Sequence, residues 1–158
     1  MRDITRFTAI ICLTVNLRAG LAHGDTEFTA IQAAINVAAV GDVVNVPAGT
    51  YSESIVIKDG IVLCGAGAES TIIDGAGAKT VVTCGKGSAI MGFTVQNGVT
   101  GVFNAGNFIG VSDCIIQDMS AACVQLTLGS ALISNNILVG GGKQAHGIVS
   151  AQANPIIS

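Results

Sequence analysis

The chain has 158 residues, enough for one domain with a real core and short of two. Half of the residues are apolar, yet only 11% are charged and 4% aromatic, and there are 21 glycines. The net charge is −3, every arginine (Arg2, Arg6, Arg18) lies in the first 18 residues, and only Lys58, Lys79, Lys86 and Lys143 follow. A nucleic-acid footprint needs clustered positive charge, so nucleic acid is excluded as a partner.

The N-terminus reads as an export signal. Residues 1–7 carry two arginines, residues 8–15 form a short apolar run, and Gly20-Leu21-Ala22 is a small-x-small cleavage pattern. Residues 1–22 are therefore expected to be a signal peptide, with His23 at the cut and residues 23–158 forming the exported domain. The apolar run is too short to span a bilayer, and no other stretch reaches that length without Gly, Asn or Asp, so the mature chain is expected to have no membrane span.

Residues 25–40 form the one helix candidate. Phe28, Ile31, Ile35 and Ala38 recur on a single apolar face. Asp25 or Thr26 is placed to cap its start, and Gly41 stands where a left-handed residue would end it. Such a helix is a natural lid on the first of a stack of strands.

After Gly41 the pattern changes to short β-prone runs over residues 43–158, each broken by Gly, Asn or Asp. Asp59-Gly60, Asp74-Gly75 and Asn97-Gly98 are turn dipeptides. Sliding the chain by 21 residues lays 80–97 on 101–118, and a second shift reaches 122–139. In that register Val81 meets Val102 and Cys123, Val82 meets Phe103 and Val124, Ile90 meets Val111 and Leu132, and Val95 meets Ile116 and Ile137. Gln96-Asn97 falls on Gln117-Asp118. A shift of 22 fits equally well around Asn135-Asn136, and Gly65 matches Gly92 at a shift of 27. A period near 21 with about three short strands is the pattern of a solenoid coil. At ~4.8 Å per coil, about five coils make a rod of roughly 25 Å.

Cys12 falls in the expected signal, leaving Cys64, Cys84, Cys114 and Cys123. An exported chain can oxidise four cysteines to disulfides, but no spacing matches a zinc pair, and buried free thiols acting as small apolar fillers are the preferred reading. Asp113 and Asp118 are the candidate carboxylate pair on one coil, for acid–base work or a calcium ion; no other cofactor is expected. The repeat offers a plainer role, since Asp118 repeats Asn97 and Asp113 repeats Gly92, and polar residues at coil corners satisfy turn backbone. Asp74 reads as a turn residue, His146 has no second ligand in spacing, and Lys86 reads as solvated. Gly65-Ala66-Gly67 and Gly140-Gly141-Gly142 lack the strand–helix context of a phosphate loop.

Residues 28–51, FTAIQAAINVAAVGDVVNVPAGTY, and the following SESIVIKDGIVLCGAGAESTIIDG resemble the N-terminal cap and first coils of right-handed parallel β-helix proteins. These include the pectin-lyase-like superfamily and many bacterial surface proteins. IMGFTVQNG (90–98) and LISNNILV (132–139) resemble later coils of the same group. The resemblance implies an all-β fold, a right-handed parallel β-helix solenoid with an N-terminal capping α-helix. It also implies a secreted or cell-surface protein whose partner is a polysaccharide or surface glycan. Activity does not follow, because the same cap precedes lyases, hydrolases, esterases and non-enzymes. The family's pectate lyases use an arginine that the exported part lacks. Its pectin methylesterases carry Gln-Asp, as at Gln117-Asp118, with a later Asp and Arg that are missing here. The expectation is a β-helix module without a catalytic site of its own. The alternatives are the front part of a polysaccharide lyase, glycoside hydrolase or pectin esterase, or a repeat segment of an adhesin. The pattern stops mid-coil at Ser158, which predicts further coils beyond it.

Overall fold

The computed structural model describes residues 30–104, 106, 108–142 and 144–158. The expected signal peptide, its cleavage point, Asp25, Thr26, Phe28 and Lys143 lie outside them. One helix, α1 (Ile31–Val37), precedes a run of parallel strands. In chain order these are β1 (Val43–Val46), β2 (Gly49–Ser52), β3 (Ile55–Ile57), β4 (Val62–Gly65), β5 (Thr71–Cys84), β6 (Ala89–Met91), β7 (Thr94–Asn104), β8 (Ile109–Ser112), β9 (Ile115–Leu126), β10 (Gly129–Ser134), β11 (Ile137–Gly140), β12 (His146–Ser150) and β13 (Ala153–Ile157).

The strands stack into two parallel sheets, so each coil sits directly on the one before. The first sheet runs β1-β4-β6-β8-β10-β13 and the second β2-β5-β7-β9-β11, with β3 on β5 and β12 on β9. The long strands β5, β7 and β9 bend midway, which gives each coil three faces. The bends are made by residues in the left-handed region, one at each bend except in β5, where Gly77 (φ 86°) follows Ala76. Gly92 (φ 73°), Asp113 (φ 54°) and Asn135 (φ 56°) turn the chain from the first sheet into the second. Ala76 (φ 49°), Asn97 (φ 58°) and Asp118 (φ 55°) bend the second sheet. Gly41, Gly60 and Gly87 make the third corner, the N–H of each donating to a carbonyl of the next coil (Gly60, Lys86 and Phe108). Gly, Asn and Asp tolerate this region best, and so they punctuate the sequence.

Between corners, alternate side chains point inward. Val44, Leu63, Ile90, Val111 and Ile133 form one buried column, Ile73, Val95 and Ile116 a second, and Ile55, Val82, Val102 and Val124 a third. Branched aliphatic side chains suit such columns because identical shapes repeat at the strand spacing. Phe93 is the largest fully buried side chain. Gly65 has no Cβ for a concrete reason: one built there would lie 2.3 Å from the carbonyl oxygen of Gly92.

The 21-residue register needs correction. It holds for Ile90 on Val111 and for Val95 on Ile116. However, β5 carries two extra residues at its bend and β9 one extra residue beyond its own, so Val82 stacks on Val102 and Thr83 on Phe103. Val81 therefore does not meet Val102, nor Val82 Phe103. At the next coil the shift is 22, so Ile133 rather than Leu132 lies over Val111, and Leu138 rather than Ile137 over Ile116. The 27-residue shift is confirmed, with Cys64 on Met91 and residues 66–70 as the longer loop.

The cap helix is shorter than the expected 25–40. Ala30 is already extended, and the helix gives way at Ala38, whose backbone is extended too. Gly41 is thus not the helix stop but the first left-handed corner of the solenoid. The capping comes from a distance. Glu53 accepts from the N–H groups of Ile31 (2.7 Å) and Gln32 (3.1 Å), while Lys58 Nζ donates to the carbonyls of Asn36 and Ala38. Gln32 pairs its amide with both backbone groups of Val56, closing the edge of β3. Ile31 and Ile35 seal the core from this end.

Candidate functional site

The bend of the second sheet collects a strip of polar side chains. The outward positions before it are Asp74 on β5, Gln96 on β7 and Gln117 on β9, in register across three coils. Asn97 and Asp118 occupy the bend itself. Gln96 Nε2 donates to Asp74 Oδ2 (3.0 Å), Asn97 Nδ2 donates to the same oxygen (2.7 Å), and the Ala76 N–H donates to Asp74 Oδ1 (2.9 Å). Gln117 Nε2 then donates to Gln96 Oε1 (3.1 Å). An ionised carboxylate only accepts, so Asp74 fixes the orientation of the ladder. Gln96 must turn its amide down and its oxygen up, Gln117 must follow, and the oxygen of Gln117 ends the run as an acceptor. The bond from Gln96, then that from the Ala76 backbone, outweigh the cost of partial burial and hold the Asp74 carboxyl below its ordinary pKa. Half-buried Ile72 and Ile115 flank the ladder on the same outward face.

Asp113 and Asp118 stand at the two bends that bound the first arm of β9. Five residues of extended chain hold their Cα atoms roughly 16 Å apart, beyond the separation at which two carboxyl groups flank one glycosidic bond. Asp113 accepts from Asn135 Nδ2 at 3.4 Å in the next coil. Beside it, Asn136 accepts from the Cys114 N–H and donates to the Val111 carbonyl, both at 2.9 Å. An asparagine inside this turn thus binds the backbone of the coil below. Among the described residues no group of three or more His, Cys, Asp or Glu is placed to hold a metal ion.

The other candidates resolve simply. His146 is exposed on β12, and Lys86 is exposed with its backbone N–H bound to Asp59 Oδ1. Cys84, Cys114 and Cys123 are buried free thiols, and Cys64 is buried as well. Burial pushes Cys84 and Cys114 up to about 12 and raises Cys123, the reverse of what a nucleophilic cysteine needs. No helix among the described residues is long and apolar enough to cross a membrane.

Asp74 is the member of the strip that the sequence hides. The repeat pairs Gln96 with Gln117 directly, but the two residues added at the β5 bend displace Asp74 from the 21-residue frame. The signal that finds it is Ile73-Asp74 against Val95-Gln96, at a shift of 22.

No family model matches the sequence, and no curated protein does. Among solved structures, a pectin methylesterase variant in complex with a hexasaccharide is similar. The match has 14% sequence identity and a TM-score of 0.48, and it covers 80% of this chain and 66% of that one. The site therefore rests on this chain's own residues, and by its own architecture the chain is a parallel β-solenoid of about five turns closed by an N-terminal helix.

Proposed function

We propose that this chain is a secreted or cell-surface β-helix module that binds polysaccharide along the Asp74–Gln96–Gln117 strip and carries no catalytic site in its own residues. The observation that carries the reading is the ladder itself. Three hydrogen-bonding side chains repeat at the coil spacing of ~4.8 Å on a face otherwise built of aliphatic and small side chains. A glycan chain offers the matching pattern, hydroxyls for the ladder and C–H faces for Ile72 and Ile115. The distance between Asp113 and Asp118 supports binding without turnover, as does the restriction of arginine to residues 1–18, since uronate chemistry needs a cation beside the sugar carboxylate. Export follows from the reading of residues 1–22, and N-terminal sequencing of secreted material should begin near His23 or Asp25.

The test is co-sedimentation of the purified chain with insoluble cell-wall polysaccharides, alongside the Gln96→Ala/Gln117→Ala variant. Binding by the wild type and its loss in the variant, with the melting temperature kept, is the expected result. Equal binding by both proteins removes the strip from the account.

A further inference from the structure

The charges around the ladder say which glycans fit it. Asp74 is an acceptor for two amides, Gln96 and Asn97, and Gln96 is an acceptor for Gln117. One N–H of each amide is therefore engaged inside the strip. The second N–H of each amide and the oxygen of Gln117 are not engaged inside the strip, while the charged groups on its flanks are the carboxylates of Asp118, Asp113 and, on the loop before β5, Glu69. The exposed Lys79 is the single cation on β5, β7 and β9, and it is bonded to none of these carboxylates.

We infer that the strip is selective for neutral glycans over polyuronates, an inference that rests on the glycan-binding reading above. A neutral sugar presents hydroxyls, which donate and accept and so match both halves of an amide. A uronate brings a negative charge to a strip whose own charges are the carboxylates of Asp74, Asp118, Asp113 and Glu69 and one lysine, Lys79. Asp74 stays ionised to below the ordinary carboxyl pKa, so its own charge persists into mild acid. Because the flanking charges are exposed, the discrimination depends on salt, fading as the Debye length falls from about 30 Å at 0.01 M to about 8 Å at 0.15 M.

Affinity electrophoresis of the full chain decides it, with a soluble mannan, a soluble β-glucan and polygalacturonate as probes at 10 and 150 mM salt. The expected result is retardation by a neutral polymer, at least about tenfold weaker retardation by polygalacturonate at low salt, and a smaller gap at high salt. The Asp113→Asn/Asp118→Asn variant keeps residues suited to the two bends, and it should gain polygalacturonate binding severalfold. Wild-type binding to polygalacturonate as tight as to the neutral polymers at 10 mM salt overturns the selectivity and leaves the glycan site standing. Binding to none of the three overturns both.

Discussion

The residues at the bends hold an L-amino-acid backbone where it is least at ease, and the solenoid depends on them. A non-glycine residue in the left-handed region costs about 1–2 kcal/mol, less for Asn and Asp. Asp118, at φ 55°, accepts that cost. Asp118→Gly should raise the urea midpoint slightly, and Asp118→Val should lower stability by about 1–2 kcal/mol, because a β-branched side chain suits this region poorly. Equal midpoints for the two variants would show that the bend is not held in this conformation. The Asp74 carboxyl makes a second prediction. Its folded pKa is depressed, so its contribution is complete above the unfolded value near about 3.9 and is lost as pH falls through the folded one. The stability gap between wild type and Asp74→Asn should be constant above about pH 5 and shrink toward about pH 2 in acid unfolding curves. The bends were partly legible in the sequence, since Asn97-Gly98 and Gln117-Asp118 announce themselves. Ala76 was not, because alanine gives no sign of a positive φ, although Gly77, which shares its bend, does.

At the scale of elements, the helix shows why local pattern reading stops short. Ile31 and Ile35 announced a buried face correctly. The ends are set by partners 20 or 22 residues away, Glu53 at one end and Lys58 at the other, and no local rule identifies them. Glu53→Ala should leave two N–H groups of the first turn without their acceptor and cost about 1–2 kcal/mol in thermal unfolding. The loss should come with faster amide exchange over residues 31–37. Unchanged exchange there would show that Glu53 does not cap the helix. The strands were legible because each is short, apolar on alternate positions and bounded by bend residues. Their joining into bent strands was not, since a single left-handed residue bends β7 without ending the strand.

For the whole molecule, the coil count and the parallel stacking follow from the repeat, while the exact register does not. The inserted residues at the β5 and β9 bends leave a period near 21 intact on average and shift individual partners by one. Neighbouring side chains on a strand face opposite sides, so a one-residue difference decides what is buried. Ile133 is 2% exposed, whereas Leu132 is half-buried on the outer side. Ile133→Asp should thus cost several kcal/mol by placing an unpaired charge in the core, and Leu132→Asp should cost far less. The reverse order in denaturant unfolding would restore the uniform 21-residue frame. Three coils align Asp74, Gln96 and Gln117 into one strip, for which we propose glycan binding. Amide hydrogen exchange of the full chain, with and without a neutral glycan that it binds, tests that alignment most directly. The account predicts slowed exchange confined to the middle of β5, β7 and β9 around the bend. Protection spread evenly over the solenoid, or centred on the first sheet, would contradict it.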